Sequence, residues 1–480
     1  MYDVAIIGAG VTGGMLARTL AAYELDICIL EKENDVAMGT SRANSGIVHA
    51  GYDAENGTLK ARLNVRGSEM MEEIAGQLGV PYSRNGSLVA GFHEEDTETI
   101  RALYHRGVKN GVKQLRILDG KEARQLEPGL SEAVTCALYA PTCAIICPYE
   151  LTVAAVGNAM DNGAELLLNF HTAQIARRDG YYEIAEKDSV TGRRIRAKYV
   201  INAAGLHADE VAGLAGDNSV RIRPRRGEYL LLDRECGGLL SHTVFRTPSK
   251  KGKGILATPT VDGNLLLGPT STDLDDKADT ATTAEGLAQI TEHAHETLKH
   301  VPLNKVITSF CGLRAVGNTG DFIIHSPFPG FVNAAGIESP GLTAAPAIAE
   351  YIALLLEGQG LVLHKKADWQ PLRRPVYAFR QASVEEKKQI IRRDKAYGHV
   401  VCRCETVTEG EILAAIRTNP PARDLDGIKR RTRAQMGRCQ GGFCMPYIAE
   451  LLAGELGIPF GKVTKCGPGS EISIGPTKGQ

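Results

Sequence analysis

The chain alternates short apolar runs with longer stretches in which apolar residues recur at helical spacing. Strand-like runs begin with DVAIIG at residues 3–8 and continue with DICILE, YVINAAG, NLLLG and GFVNAAG. Helical stretches lie at 58–78 and 343–356. Strands that alternate with helices in this way are typical of an α/β fold. The pattern therefore predicts an α/β unit over residues 1–360.

The sequence changes character after this unit. Residues 361–397 are highly charged and contain proline, with little apolar periodicity, so we predict a linker there. Four cysteines follow within residues 398–456, which predicts a small helical module; its segment VTEGEILAAI is a helix with Thr408 as the N-cap. Residues 457–480 are rich in glycine, proline and serine, and form either a mobile tail or a cover over the module.

Length and charge narrow the class of protein. A chain of 480 residues is too long for one compact core, and its formal net charge of -1 gives no reason to expect nucleic acid as a partner. No apolar run approaches the roughly 18 residues of a spanning helix, and the N-terminus lacks the basic region of a signal peptide. We therefore expect a cytoplasmic enzyme of two or three domains that reaches the inner face of a membrane, if at all, through partners.

A glycine-rich turn follows the first strand-like run. Gly8, Gly10 and Gly13 form a GxGxxG sequence between a strand and a helix, and Glu31 ends the next strand. Such glycines permit a tight turn, close approach of a pyrophosphate and close helix packing, while the acidic residue accepts hydrogen bonds from a ribose. The order predicts a dinucleotide site, for which FAD and NAD are both candidates at this point.

Three further segments discriminate between these cofactors. GTSRANSGIVHAG at 39–51, VINAAG at 200–205 and GIESPGLTAAP at 336–346 resemble flavin-contact segments of the D-amino-acid-oxidase-like flavoprotein family. The resemblance implies a Rossmann-like FAD domain, a mixed α+β substrate domain, and FAD as the cofactor. The FAD domain would comprise about 1–80, 150–215 and 320–360, and the substrate domain 81–149 and 216–319. The implied FAD contacts, besides the turn and Glu31, are Thr40, Ser41, Asn44, Ser45, Gly46, Ala204, Gly205, Gly336, Ser339, Gly341, Leu342 and Thr343.

Within that family the chain is most similar to bacterial type-2 glycerol-3-phosphate dehydrogenases and oxidases. The similarity is carried by ANSGIVHAG, RRGEY, KGKGILATPTVDGNLLLGPT and GLRAVGNTGDFII. It implies that His49 takes the hydroxyl proton of glycerol 3-phosphate and that Lys253 and Arg314 bind its phosphate. The structural alternatives are a packing histidine, a solvated lysine loop and an ion-paired arginine. The same type of site serves L-2-hydroxyglutarate oxidation, so a carboxylate substrate is the second candidate.

The cysteine pattern predicts a metal centre. Cys402-x-Cys404 and Cys439-x4-Cys444, separated by 34 residues, resemble the bacterioferritin-associated-ferredoxin-like domain, which implies a [2Fe-2S] cluster on these four residues. Structural zinc is the alternative, and the basic run 429–433 could offset the charge of a cluster.

The sequences around these cysteines, CRCETVTEGEI and RRTRAQMGRCQGGFC, also resemble the catalytic subunit of anaerobic glycerol-3-phosphate dehydrogenases. A cluster implies that electrons leave to an electron-accepting flavoprotein or membrane-associated subunit, in a homo- or hetero-oligomer. A non-catalytic electron-transfer subunit is the alternative from another class.

Overall fold

The computed structural model describes residues 1–187, 192–248, 254–373, 378–473, 475 and 478. The strands, in chain order, are β1 (Tyr2–Ile7), β2 (Ile27–Leu30), β3 (Ile47–Val48), β4 (Tyr82–Ser83), β5 (Ser87–Gly91), β6 (Arg116–Asp119), β7 (Cys136–Ala140), β8 (Ala144–Ile146), β9 (Glu165–Leu167), β10 (Thr172–Arg177), β11 (Tyr182–Glu186), β12 (Arg194–Asn202), β13 (Ile222–Leu232), β14 (Thr243–Arg246), β15 (Leu256–Pro259), β16 (Leu265–Gly268), β17 (Thr272–Asp273), β18 (Val306–Gly317), β19 (Ile323–Phe328), β20 (Phe331–Ala335), β21 (Val400–Cys402) and β22 (Val407–Thr408).

The α-helices complete the list of elements. They are α1 (Val11–Leu20), α2 (Leu59–Leu78), α3 (Asp96–Lys109), α4 (Gly120–Leu126), α5 (Pro148–Asp161), α6 (Ala208–Leu214), α7 (Ala284–Thr297), α8 (Gly341–Glu357), α9 (Val384–Arg393), α10 (Glu409–Arg417), α11 (Leu425–Thr432) and α12 (Met445–Leu456). In the part of the chain that is described, no helix has the length and apolar character needed to cross a membrane.

The first sheet has eight strands, and its centre is parallel. Its order is β10-β11-β12-β1-β2-β9, with β20 beside β12 and β19 beside β20. Along β1, Val4 and Ile6 enter one core while Ala5 and Ile7 enter another on the opposite face. Because β1 is buried on both faces, its sequence is continuously apolar, as expected for the centre of a covered parallel sheet. The predicted α/β fold class is confirmed.

The larger core lies between this sheet and helices α1, α2, α5 and α8. Its fully buried members include Leu16, Met71, Leu151 and Ile348, one from each helix. Apolar residues at helical spacing form the faces that meet in this core, which is why the predicted stretches 58–78 and 343–356 are helices in the structure.

The second sheet has nine strands and is mostly antiparallel. Its order is β17-β13-β16-β15-β14-β5-β7-β6, with β18 along β13. One face packs on α7 through a core that includes Leu232, Leu265 and Ile290. The other face packs on α3 through Leu138 and Ile100. Residues of this sheet and of the glycine turn at the edge of the first sheet line the same cavity.

The cysteine module packs around a core of its own, which includes Ile412, Leu425, Ile428 and Ile448. Thr408 caps α10 in a capping box: Thr408 Oγ1 accepts from Glu411 N, and the Glu411 side chain accepts from Thr408 N. This confirms the cap expected from the sequence.

The segment expected as a linker is partly folded. Helix α9 lies within it, and its N-cap Ser383 forms a capping box with Glu386. Phe379, Ile390 and Tyr397 form a small core beside this helix. Of the two alternatives for the tail, its described part covers the module, since Ile472 packs against the module's core. The segments on both sides of the module therefore fold with it.

Candidate active site and cysteine centre

A single continuous cavity of 1980 Å³ brings together most of the predicted site residues. Its walls come from the glycine turn, the segment 39–49, the β13–β18 pair, the start of α8 and the cysteine module. Small-molecule sites usually measure about 300–1,000 Å³. This cavity therefore has room for a dinucleotide together with a substrate. The predicted cofactor residues that line it are Gly8, Gly10, Glu31, Thr40, Ser41, Asn44, Ser45, Gly46, Ala204, Gly205, Ser339, Gly341 and Leu342.

Three predicted cofactor residues lie behind this wall. Gly13 packs against the turn, where a Cβ atom would be 1.9 Å from the Gly8 carbonyl oxygen. Gly336 packs against Gly317, and Thr343 is fully buried. These three residues pack behind the residues that line the cavity and do not line it themselves.

The glycine turn leaves backbone exposed to the cavity. Gly8 has a φ of +108°, and a Cβ atom there would approach the Ala203 carbonyl oxygen to 2.5 Å. The first amide of α1, Val11 N, donates to Ser41 Oγ at 2.9 Å. Gly8 and Gly10 both line the cavity beside the N-terminus of α1, where a phosphate is stabilised. These residues fit a dinucleotide.

Glu31 faces the cavity from the end of β2. Its carboxylate accepts hydrogen bonds from Ala9 N at 2.7 Å and from Glu33 N at 3.0 Å. Burial raises the pKa of Glu31, although both amides lower it. A carboxylate has about four acceptor sites, so acceptor capacity remains for ribose hydroxyl groups.

Side chains of the segment 39–49 fix its shape. Thr40 donates to the Leu313 carbonyl oxygen at 2.6 Å. The Asn44 amide donates to the Thr40 carbonyl oxygen at 3.0 Å and accepts from Gly46 N at 2.9 Å. Because these side chains hold the loop itself, the loop is pre-shaped before any ligand binds.

His49 lies in the cavity next to the start of α8. Its backbone N–H donates to Thr343 Oγ1 at 2.9 Å, and Thr343 Oγ1 donates to the Ile47 carbonyl oxygen at 3.3 Å. The ring Nε2 is 3.5 Å from Ser339 Oγ, and the ring lies 5.7 Å from that of Phe245. The resemblance implied that Thr343 contacts the cofactor, whereas in the structure its hydroxyl hydrogen-bonds to the backbone of Ile47 and His49.

Arg314 is a half-buried cation at the cavity wall. One of its terminal nitrogens donates to the carbonyl oxygens of Arg226 at 3.0 Å and Thr270 at 2.6 Å. Among the described residues, no carboxylate lies within ion-pair distance of it, and its Nε is buried without a partner. Burial lowers the pKa of Arg314, but a guanidinium remains charged. The arrangement fits an anionic ligand. Lys253, the other predicted cation, lies outside the described residues.

The four predicted cluster cysteines form two pairs. Cys444 hydrogen-bonds to Cys402 and lowers its pKa to about 6, and Cys404 hydrogen-bonds to Cys439. Backbone N–H groups of residues 441–443 also point at the Cys439 sulfur. Among the described residues, no three cysteine sulfurs lie mutually within 4.8 Å. One zinc ion would draw all four to about 2.3 Å, so two separated pairs fit a two-iron cluster better.

Hydrogen bonds and ion pairs join the cysteine module to the loop that follows Glu31. Asp35 accepts from Arg430 at 2.5 Å and from two nitrogens of Arg431 at 2.7 and 2.8 Å. The Asn34 amide donates to Asp424. Burial raises the pKa of Asp35, but the two guanidinium groups outweigh it and lower the value to about 2. Arg430 and Arg431 of the basic run 429–433 therefore compensate the charge of Asp35, whereas the sequence suggested that this run offsets the charge of a cluster.

A second buried network joins the module to the second sheet. Arg433 donates to Asp262 at 2.5 Å, to Glu405 at 3.0 Å and to the Tyr149 hydroxyl at 3.3 Å. Arg380 contacts the same two carboxylates. Because Glu405 follows the second cysteine and Tyr149 lines the cavity, the network connects the cluster site to the cavity wall. No local pattern in the sequence indicated either network.

Comparison with known proteins agrees with this architecture. The model of the FAD dependent oxidoreductase family matches residues 3–355, and that of the BFD-like [2Fe-2S] binding domain matches residues 400–454. The chain is 47% identical to the glycerol 3-phosphate dehydrogenase of Caloramator mitchellensis, with all of both chains covered. It is 33% identical to the mitochondrial L-2-hydroxyglutarate dehydrogenase of Bos taurus over 56% of this chain and 60% of that protein.

A solved structure extends the comparison to three dimensions. The dithionite-reduced L-alpha-glycerophosphate oxidase of Mycoplasma pneumoniae with FAD bound has a TM-score of 0.73 and 31% identity, covering 78% of this chain and 98% of that chain. The chain belongs to the FAD dependent oxidoreductase family. It is an FAD enzyme that also carries a BFD-like [2Fe-2S] domain, as the sequence predicted.

Proposed function

We propose that the enzyme oxidises sn-glycerol 3-phosphate to dihydroxyacetone phosphate and transfers the electrons through its cluster domain to a partner. The observation that carries this proposal is the half-buried guanidinium of Arg314, which has no carboxylate partner among the described residues and lines the same cavity as His49. A site with a fixed cation and a neutral-range base suits a phosphorylated alcohol. The identity to a glycerol 3-phosphate dehydrogenase over the full chain supports the same substrate.

Each residue of the site has a separate role in this reaction. Arg314 binds the phosphate and so fixes the secondary alcohol near His49, with Lys253 as a further predicted cation. His49 accepts the hydroxyl proton at Nε2, while Ser339 and Thr343 hold the ring and its backbone. Bound FAD supplies the hydride acceptor. Loss of the proton from oxygen and of hydride from carbon leaves the ketone.

The cofactor contacts predicted from the sequence are part of the proposal. The turn with Gly8 and Gly10 receives the pyrophosphate, Glu31 the ribose, and the N-terminus of α8 with Gly341 and Leu342 the flavin ring. The cavity walls around these residues support this orientation.

Electron exit is assigned to the cysteine module. Cys402, Cys404, Cys439 and Cys444 would hold the cluster, which carries one electron at a time. A carrier of this kind suits a protein acceptor, such as a flavoprotein or a membrane-associated subunit at the inner face of the membrane. Tyr149 and the Arg433 network lie between the cavity and the residue after Cys404.

L-2-Hydroxyglutarate is the second candidate substrate. Arginine binds carboxylate as readily as phosphate, and one relative is an L-2-hydroxyglutarate dehydrogenase. The test compares kcat/KM for the two compounds with a one-electron dye as the acceptor. A kcat/KM at least roughly a hundredfold higher for glycerol 3-phosphate supports the proposal, a preference for the hydroxy acid replaces it, and inactivity with both favours the non-catalytic alternative.

A further inference from the structure

Helix α11 of the cysteine module lies over the loop that borders the glycine turn. Ala37 N donates to the Ala9 carbonyl oxygen at 3.1 Å, and Ser41 Oγ accepts from Val11 N at 2.9 Å. Residues 37 and 41 therefore adjoin the turn directly. Because the same loop carries Asp35, to which α11 is fastened, α11 reaches the phosphate end of the cavity.

Lys429 of α11 lines the cavity at this end. Among the described residues, its ammonium group has no hydrogen-bond or ion-pair partner. The carboxylate of Asp426, which favours the charged form of Lys429, is engaged by Lys465, and the cations Lys465, Arg430 and Arg42 also lie near Lys429. Burial lowers the pKa of Lys429, and these three cations lower it further.

Two further cations, Arg430 and Arg42, lie near Lys429. Arg430 is 5% exposed, lines the cavity, and has a buried Nε without a partner in the described part of the chain. Arg42 also lines the cavity, and its hydrogen bond is to the Met38 sulfur. Asp35 compensates the charge of Arg430, whereas Lys429 and Arg42 have no carboxylate partner among the described residues. Two like charges without a carboxylate partner are unfavourable together, so we expect the anion between Lys429 and Arg42 to come from a ligand.

We propose that the cysteine module completes the dinucleotide site, with Lys429 and Arg42 binding the pyrophosphate of FAD. The backbone amides of the glycine turn would contact one side of the pyrophosphate, and Lys429 would close over the other side. The docked module thereby retains the flavin and secures the distance between flavin and cluster. The inference rests on the family's cofactor and is independent of which alcohol is oxidised.

The test is the rate of FAD release from the full-length holoenzyme, followed by the rise of flavin fluorescence after dilution. Lys429→Met should release FAD roughly tenfold faster or more, since hydrogen bonds to charged groups contribute about 1.5–3 kcal/mol. Lys429→Arg should stay within about threefold of the wild type because it keeps the charge. Lys462→Met is the matched control: Lys462 is an exposed lysine of the tail that follows the module and does not line the cavity, and the rate of FAD release from this variant should not change.

Salt dependence of the wild-type enzyme gives a second test that needs no variant. Release should accelerate as sodium chloride rises, and the Lys429→Met enzyme should show a smaller slope. Unchanged release in Lys429→Met, or release that is independent of salt in the wild type, overturns the proposal. A raised KM for the substrate with unchanged FAD release also overturns it, because Lys429 would then bind the substrate.

Discussion

Arg314 offers a direct test of anion recognition, because the substrate can lose its charge as well as the enzyme. The change is Arg314→Met, which keeps apolar volume and removes the guanidinium. A hydrogen bond from a charged donor contributes about 1.5–3 kcal/mol, which corresponds to a roughly 10- to 150-fold loss of kcat/KM. We expect this loss with glycerol 3-phosphate and at most about a threefold change with glycerol, which lacks the phosphate.

The matched control is Arg225→Met. Arg225 lies directly opposite Arg314 in the β13–β18 pair and also lines the cavity, but it donates to Asp273 at 2.6 Å. Its charge is already neutralised, so its loss should leave kcat/KM for glycerol 3-phosphate within about threefold. Rates are measured anaerobically with a dye acceptor and normalised to FAD content. Phosphate binding by Arg314 is refuted if Arg314→Met reduces kcat/KM equally for glycerol 3-phosphate and glycerol. It is also refuted if Arg314→Met and Arg225→Met change kcat/KM for glycerol 3-phosphate by the same factor.

Three further variants test the proton acceptor, the cluster and the contact between the module and the cavity. His49→Asn should slow flavin reduction by roughly 10²- to 10⁴-fold in stopped-flow absorbance at unchanged FAD content, and normal reduction would exclude His49 as the base. Cys439→Ser should leave flavin reduction intact but abolish electron transfer to one-electron acceptors, so loss of flavin reduction itself would contradict the proposed order of transfer. Asp35→Asn should increase hydrogen exchange in α11. The pKa of Asp35 lies at about 2 against an ordinary 3.8, so its carboxylate contributes roughly 2.5 kcal/mol that is complete above about pH 4 and lost as the pH falls toward 2; unchanged exchange at pH 7 would contradict this.

The parts of the fold that the sequence predicts are those written in contiguous residues. Gly8, Gly13 and Glu31 fall within one strand-turn-helix-strand unit, so their spacing alone fixes where they lie. The same holds for Thr408, whose partner Glu411 is three residues away. The helix α9 had an equivalent signal in Ser383 and its capping-box glutamate, which the charged composition of the segment concealed.

The contacts between the module and the cavity have no such local signal. Asp35 and Arg430 are 395 residues apart, and an aspartate in a loop or an arginine in a basic run is ordinary in any sequence. Their partnership depends on how two separately folded cores meet. For the same reason the sequence predicted Lys253 as a phosphate-binding cation but assigned the run that contains Lys429 to the cluster and not to the cavity.

The most direct test of electron transfer from glycerol 3-phosphate through FAD to the cluster is to add this substrate to the holoenzyme under strict anaerobiosis, without dye. Visible absorbance and low-temperature electron paramagnetic resonance are then recorded. We expect bleaching of the flavin band together with the signal of a reduced [2Fe-2S] cluster. Absence of bleaching with glycerol 3-phosphate, or bleaching with L-2-hydroxyglutarate alone, would contradict it.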